Sequence, residues 1–81
     1  MLIEIIIDNM INIEVGSRVK YFRKKAGFSQ EKLARRIAME RTTISKIESG
    51  KFNITVNTLQ QLCDGMGITL KDFFSEIIIK K

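Results

Sequence analysis

The chain of 81 residues contains no histidine, no proline and no tryptophan, and it has a single cysteine. Without histidine, acid–base catalysis by an imidazole is excluded. A lone cysteine cannot form a disulfide within the chain, and without histidine it leaves no ligand set for a structural zinc ion. No nucleophile–base set, metal cluster or phosphate-binding loop is visible. The sequence therefore predicts a protein that is not an enzyme and that uses no cofactor.

Long apolar runs are also absent, since none approaches the roughly 20 residues that a membrane-spanning helix requires. The apolar start LIEIIID includes Glu4 and Asp8, and it lacks the basic segment that opens a signal peptide. There is no low-complexity tract, no repeat and no linker between domains. We therefore expect one small cytoplasmic domain without a membrane partner.

The net charge of +5 is concentrated in the middle of the chain. Residues 18–51 carry eleven bases and three acids, whereas residues 1–17 carry three acids and no base. Residues 52–81 are balanced, with three of each. A basic segment between flanks that add no positive charge favours a polyanionic partner, although a solvated basic face would give the same count.

Apolar residues at helical spacing predict five helices, which cover approximately residues 13–25, 29–37, 41–49, 56–64 and 70–74, with the second fading over residues 38–40. Serine or threonine is expected to cap several starts, and glycine to end the helices, with both Gly65 and Gly67 at the end of the fourth. The residues predicted to face the core include Val15, Val19, Phe22, Leu33, Ala34, Ile37, Ile44, Ile47, Leu59, Leu62, Cys63 and Met66.

The two ends of the chain are rich in isoleucine, and their structure stays open at this point. Such β-branched runs favour strands, which could pair with each other or across a dimer. The same residues also fit a helical stripe, so the ends could instead extend helices. The expected organisation is an N-terminal extension over 1–12, a central domain over 13–76 and a tail over 77–81.

Only about four residues, 38–41, join the second and third predicted helices, which is typical of a helix-turn-helix unit. Three segments, GFSQEKLARRI, ISKIESGK and LQQLCDGMGITLKDFF, resemble the Xre-type, lambda-repressor-like helix-turn-helix domains. The resemblance spans residues 14–74 and implies an all-α, five-helix fold. The chain departs from the family in lacking the common proline before the fourth helix, where Ile54 and Thr55 stand, and in carrying Cys63 where alanine is common.

The run ERTTIS is similar to a segment of restriction–modification controller proteins, which are small dimers; phage repressors and antitoxins share much of it. The resemblance implies a transcriptional regulator that binds a palindromic operator in double-stranded DNA as a homodimer, with helix 41–49 in the major groove. RNA polymerase is then a further candidate partner, blocked or recruited at nearby promoters. The alternative is an antitoxin-like module that neutralises a protein partner and binds DNA secondarily.

Because Ile44 and Ile47 define the inner face of the third helix, its polar residues are expected on the opposite side. A guanidinium can bond both O6 and N7 of guanine, hydroxyls can bond base edges, and a threonine methyl can meet that of thymine. The residues predicted to read bases are Arg41, Thr42, Ser45 and Lys46. Thr42 has a competing assignment as the N-cap of the helix.

Contacts to the DNA backbone position a protein without reading sequence. By the resemblance, Gln30 is a phosphate clamp, and Arg18, Lys51 and Asn53 lie where flanking contacts fall. The full predicted set is Arg18, Ser29, Gln30, Thr43, Lys51 and Asn53. The resemblance also implies an ion pair between Arg23 and Glu48 that ties the first helix to the third.

The apolar residues near the C-terminus are more than one small domain easily buries together with the apolar N-terminus. We therefore expect a homodimer interface formed by Phe73, Phe74 and Ile77. A two-fold dimer would set its two reading helices one DNA turn apart, roughly 34–36 Å. In the alternative, the two termini cover each other within one chain.

Overall fold

The computed structural model describes residues 2–79, and it describes the side chains of residues 11–75. All regular structure in this range is helical, which confirms the predicted all-α fold. The five helices are α1 (Leu2–Lys25), α2 (Gln30–Arg36), α3 (Arg41–Glu48), α4 (Val56–Met66) and α5 (Leu70–Ile79). In the described part of the chain, none of these helices combines the length and apolar character needed to cross a membrane.

Both isoleucine-rich ends continue helices, and neither forms a strand. α1 begins at Leu2, well before the predicted start at residue 13, and α5 runs on to Ile79. Of the two possibilities that the sequence left open, the structure thus has the helical one. Residues 1, 80 and 81 lie outside the described range.

Side-chain caps begin the second and fourth helices, as their sequences predict. The Ser29 hydroxyl accepts a hydrogen bond from the backbone N–H of Lys32 at 3.1 Å. The Thr55 hydroxyl accepts one from the backbone N–H of Thr58, also at 3.1 Å. Each bond satisfies an N–H of the first turn that has no partner within the helix, so the cap fixes where the helix starts.

The expectation that Gly65 helps to end the fourth helix was wrong, because α4 continues through it to Met66. A Cβ atom at Gly65 would run into Cγ2 of Ile37 and would lie 3.3 Å from Cδ1 of Leu33. Glycine therefore permits α2 and α4 to approach closely at this point. The helix ends instead at Gly67, whose φ of 76° is left-handed.

One apolar core lies among the described helices, and every helix contributes to it. Its buried members are Val15, Val19, Phe22, Leu33, Ala34, Ile44, Ile47, Leu59, Leu62, Cys63, Met66 and Phe73. Burial, with the nearby charge of Asp64 adding to it, raises the pKa of the Cys63 thiol from 9.0 to about 11. Cys63 is therefore a protonated core residue.

α1 and α3 pack with their backbones in close contact. A Cβ atom at Gly16 would overlap the carbonyl oxygen of Ile47 and would lie 3.1 Å from the carbonyl group of Glu48. The C-terminal end of α3 is thus held directly against α1, and this contact sets how α3 is presented to solvent.

Candidate nucleic-acid interface

α3 has one face in the core and one face in solvent. Ile44 and Ile47 are 0% and 2% exposed, so they anchor the helix. Arg41, Thr42 and Lys46 are exposed. Ser45 and Thr43 are half-buried. The four residues predicted to read bases therefore lie together on or beside the solvent face of a helix that the core holds in place.

Thr42 does not cap α3. The helix begins at Arg41, its N-cap is Glu40, and the side chain of Glu40 makes no capping hydrogen bond. The competing assignment of Thr42 is thereby removed, and its exposed side chain is left on the first turn of the helix.

The predicted partners Arg23 and Glu48 are brought together between α1 and α3. Nε of Arg23 lies 2.6 Å from Oε2 of Glu48, and Nη2 donates to Oε1 at 3.1 Å. The third nitrogen, Nη1, donates to the carbonyl oxygen of Phe28 at 2.7 Å. The two side chains are only 8% and 4% exposed. This two-pronged, buried contact holds the end of α3 in one orientation.

Gln30, the first residue of α2, connects this ion pair to the start of α3. Its Nε2 donates to Oε1 of Glu48 at 2.9 Å. Its Oε1 accepts from Nη1 of Arg41 at 3.4 Å, a long contact. Four polar side chains from three helices thus form one connected set that runs from the buried Arg23 to the exposed Arg41. The ion pair between Arg23 and Glu48 was predicted from the sequence, and Gln30 and Arg41 were each given a separate role, but the links made by Gln30 were not predicted.

The turn between α2 and α3 is what brings these side chains together. Ala38 has a φ of 56°, a left-handed conformation that reverses the chain within a few residues. The N–H of Met39 then donates to the carbonyl oxygen of Ala34 at 2.8 Å, which closes the turn. Two short helices joined by a tight turn, with the second exposing a polar face, match the geometry of a DNA-reading unit.

The sequence also matches a known family of DNA-binding domains. The family model for the helix-turn-helix domain matches residues 19–73 of this chain. The chain belongs to the helix-turn-helix family. It is 43% identical over 70 residues to control protein C.MunI from Mycoplasma sp, a match that covers 85% of this chain and 95% of that protein. It is 35% identical over 65 residues to control protein C.BamHI from Bacillus amyloliquefaciens, covering 79% and 80%.

Solved structures of helix-turn-helix proteins are similar to most of this chain. One is the restriction-modification controller protein C.Esp1396I, solved as a tetramer in complex with its natural 35 base-pair operator. The TM-score is 0.76 at 33% identity, over 85% of this chain and 90% of that one. These similarities confirm the predicted family and the likeness to controller proteins, and they agree with the prediction that the chain is not an enzyme.

Several residues predicted to touch the DNA backbone lie at the edges of the helix-turn-helix unit. Ser29 is exposed at the start of α2, and Lys51 and Asn53 are exposed just after α3. The side chain of Asn53 accepts a hydrogen bond from Nδ2 of Asn12 at 2.7 Å. This bond ties the segment after α3 to α1, a contact that spans 41 residues and leaves no signal in the sequence.

Arg18, which was also predicted to contact the DNA backbone, is buried. Its side chain is buried, and its guanidinium carbon lies 4.8 Å and 5.4 Å from the ring centroids of Tyr21 and Phe22. The cause is the helical spacing, since residues three and four positions further along α1 come to lie beside it. The guanidinium of Arg18 is therefore covered by aromatic side chains of its own helix.

The three residues expected at a dimer interface lie in different environments. Phe73 is fully buried in the chain's own core, where its ring packs 5.6 Å from that of Phe22. Its neighbour Phe74 is 37% exposed. The side chain of Ile77 lies outside the described residues. Successive residues on a helix point about 100° apart, so two adjacent phenylalanines rarely serve the same surface.

Proposed function

We propose that this helix-turn-helix transcriptional regulator reads a specific sequence in double-stranded DNA with α3 in the major groove. The observation that carries the proposal is the placement of Arg41, which is exposed at the first position of α3 and contacts Gln30 at the first position of α2. The reading helix of such a unit contacts base edges with its N-terminal residues. The similar protein C.Esp1396I has been solved on its natural operator, which supports the proposal.

Arg41 is proposed to bond guanine through two of its N–H groups, a contact worth roughly 1–3 kcal/mol of discrimination. Thr42 and Ser45 offer hydroxyls, and Thr42 a methyl, to neighbouring base edges. Lys46 lies one turn beyond Thr42 and reaches either a base or a phosphate. All four project from one helix, so they are proposed to read adjacent base pairs.

Contacts to phosphate are proposed for the polar residues around this helix. Gln30 has a second amide hydrogen, which its bond to Glu48 leaves available for a phosphate oxygen. The Ser29 hydroxyl accepts from Lys32 as the helix cap and can still donate its own hydrogen. The proposed set is Ser29, Gln30, Thr43, Lys51 and Asn53. Arg18 is left out, because its guanidinium is buried against aromatic rings.

A homodimer on a palindromic operator is the proposed binding form. One α3 offers few base contacts, and a second copy doubles them at a spacing of roughly 34–36 Å. Phe74 on α5 is a large apolar side chain left exposed, and we propose that it lies in the dimer interface. Bound in this way, the regulator is proposed to block or recruit RNA polymerase at a nearby promoter.

A selection from randomised duplexes tests the proposal directly, with binding of the selected duplexes measured by fluorescence anisotropy. We expect wild type to select a palindrome, and we expect its affinity to fall linearly with the logarithm of salt concentration. Arg41→Ala is expected to lose preference at one base pair in each half-site. Equal binding of wild type to selected and random duplexes would refute sequence-specific reading.

The relatives named above are control proteins, which favours the regulator over the antitoxin-like alternative. The same anisotropy series separates the two. A module that acts mainly on a protein partner is expected to bind DNA weakly and with little preference among sequences.

A further inference from the structure

We propose that Asn12 is a positioning residue for Asn53, because it holds the Asn53 amide oxygen towards α1 and leaves the amide nitrogen to donate to a DNA phosphate. The inference rests on the proposed function, in which Asn53 contacts the DNA backbone. Asn12 lies before residue 19, where the match to the helix-turn-helix family begins. The N-terminal part of α1 thereby takes part in DNA binding without itself touching DNA.

The segment between α3 and α4 carries Asn53 on its outer side. Phe52 and Ile54 are half-buried and pack against the core. Lys51 and Asn53, which alternate with them, are exposed. The backbone N–H of Lys51 donates to the carbonyl oxygen of Lys46 at 2.9 Å, so the segment starts from a fixed point at the end of α3. Both exposed side chains therefore leave the protein beside the proposed reading helix.

α1 meets this segment at two adjacent residues. A Cβ atom at Gly50 would lie 2.7 Å from Cγ1 of Ile13 and 3.0 Å from its Cα, so the segment passes close to the helix. One residue earlier on α1, Nδ2 of Asn12 donates to Oδ1 of Asn53 at 2.7 Å. Asn12 is half-buried on a regular helix, whereas Asn53 is exposed in a segment without regular structure. The helix thus supplies the fixed partner of the pair.

Hydrogen-bonding chemistry makes the direction of the Asn53 amide important for binding DNA. A phosphate oxygen accepts hydrogen bonds, so a neutral amide binds it only through its nitrogen. With its oxygen bonded to Asn12, Asn53 keeps both hydrogens of its nitrogen, and no described residue accepts either of them. Holding the side chain in this direction also reduces the conformational entropy that is lost on binding.

A double-mutant cycle tests the inference on the full chain, with wild type, Asn12→Ala, Asn53→Ala and the double variant. Anisotropy gives the affinity of each for the selected duplex and for a random duplex over a series of salt concentrations. Ser17→Ala is the matched control, because Ser17 is an exposed polar residue of the same helix. Lys51→Ala shows the effect of losing a charged group from the same segment. Thermal unfolding followed by circular dichroism verifies that each variant is folded.

We expect Asn12→Ala to weaken binding to both duplexes by the same factor, about twofold to fivefold, and by less than about 1.5-fold when Asn53 is already alanine. The two duplexes are affected equally because a phosphate contact reads no sequence. The slope of log affinity against log salt is expected to stay at its wild-type value, since an amide carries no charge, whereas Lys51→Ala is expected to reduce it by about one. Ser17→Ala is expected to bind as wild type does.

Three results would overturn the inference. Unchanged affinity in Asn12→Ala would show that Asn53 needs no help. A loss that persists when residue 53 is alanine, or a smaller salt slope in Asn12→Ala, would show that Asn12 supports the whole segment, Lys51 included. Wild type that binds both duplexes equally refutes sequence-specific reading alone, because the cycle still measures a phosphate contact on any duplex. Wild type that binds neither refutes both proposals.

Asn12→Asp tests the direction of the amide. A carboxylate only accepts hydrogen bonds, so Asn53 would turn its nitrogen towards residue 12 and its oxygen towards the phosphate. We expect this variant to bind about threefold more weakly than Asn12→Ala. The excess is expected to shrink when Asn53 is alanine, because only the added negative charge then remains. An excess of the same size in that background would contradict the proposed direction.

Discussion

Ala38 holds the turn between α2 and α3 in a backbone conformation that suits glycine better. Its φ of 56° places Cβ close to the following carbonyl, a strain that glycine avoids. Ala38 is the one non-glycine residue with a positive φ among the described residues. The side chain is exposed, so removing it empties no space in the core.

Ala38→Gly is therefore expected to stabilise the protein by roughly 0.5–1 kcal/mol, measured as the free energy of unfolding in urea. Ala26→Gly is the matched control, since Ala26 is exposed just after α1 and has negative φ. At Ala26 no backbone strain is relieved, so glycine only increases the conformational entropy of the unfolded chain. The free energy of unfolding is therefore expected to stay the same or to fall. A destabilised Ala38→Gly variant would show that the turn carries no strain.

A second prediction for a single residue concerns Cys63, whose reactivity and contribution to stability depend on pH. Its thiol pKa is 9.0 ordinarily and about 11 in the folded chain, so at pH 8 the thiolate fraction is about 100-fold lower when folded. We expect a thiol reagent to label the folded chain at least that much more slowly than the chain in urea. The stability contribution of this proton is full below pH 9 and is lost as the pH rises towards 11, because the unfolded chain releases the proton first.

Single residues were predictable from sequence where a local pattern carries the information. The spacing of Ile44 and Ile47 predicts which side of α3 is exposed, and the hydroxyls at 29 and 55 predict caps. The link from Gln30 to Glu48 joins residues 18 positions apart, and no local pattern encodes it. The burial of Arg18 was missed for a related reason, because a basic residue in a basic segment is expected to be solvated.

At the scale of elements, the number and order of the helices follow from periodicity, whereas several of their ends, among them those of the first and fourth helices, do not. The fourth helix runs past its predicted end because a glycine that usually stops a helix serves here as a contact point with α2. The first begins earlier than predicted because the isoleucines of residues 2–12 suit strand and helix alike. Packing against α2 accounts for the end of the fourth helix, and packing is what a single sequence shows least.

The close packing of α1 against α3 leads to a specific prediction for Gly16. A Cβ there would overlap the backbone of α3 at Ile47, and a backbone cannot rotate aside as a side chain can. Gly16→Ala is expected to destabilise the protein by about 1–3 kcal/mol and to weaken DNA binding by displacing α3. Ser17→Ala, an exposed change one residue along α1, is expected to stay within roughly 0.5 kcal/mol of wild type. Equal unfolding free energies for the two variants would argue against the close contact.

At the scale of the whole molecule, the proposed homodimer requires a surface on which two copies meet. Large apolar side chains remain exposed at several places, including Phe74 on α5 and Val56 at the start of α4. Phe74 is the one that the proposal assigns to the interface, because it adjoins Phe73, which anchors α5 in the core.

Phe74→Lys is accordingly expected to weaken self-association by at least about tenfold, measured by sedimentation equilibrium, because it places a charge in a desolvated contact. Its unfolding as a monomer is expected to change little, since the side chain is already partly in solvent. Val56→Lys, at a residue that is 71% exposed, is expected to leave association unaltered. If Val56→Lys dissociates the protein and Phe74→Lys does not, the interface lies on α4.

The polar set that begins at Arg23 also limits how a new DNA preference could be engineered or evolve. Oε1 of Gln30 accepts a hydrogen bond from Arg41, so position 41 accommodates hydrogen-bond donors and disfavours acidic side chains. A variant designed to recognise cytosine through a carboxylate at 41 would leave two acceptors facing each other. For the base-reading role proposed for position 41, a change of preferred base therefore requires a compensating change at 30, so that the two residues are altered as a pair.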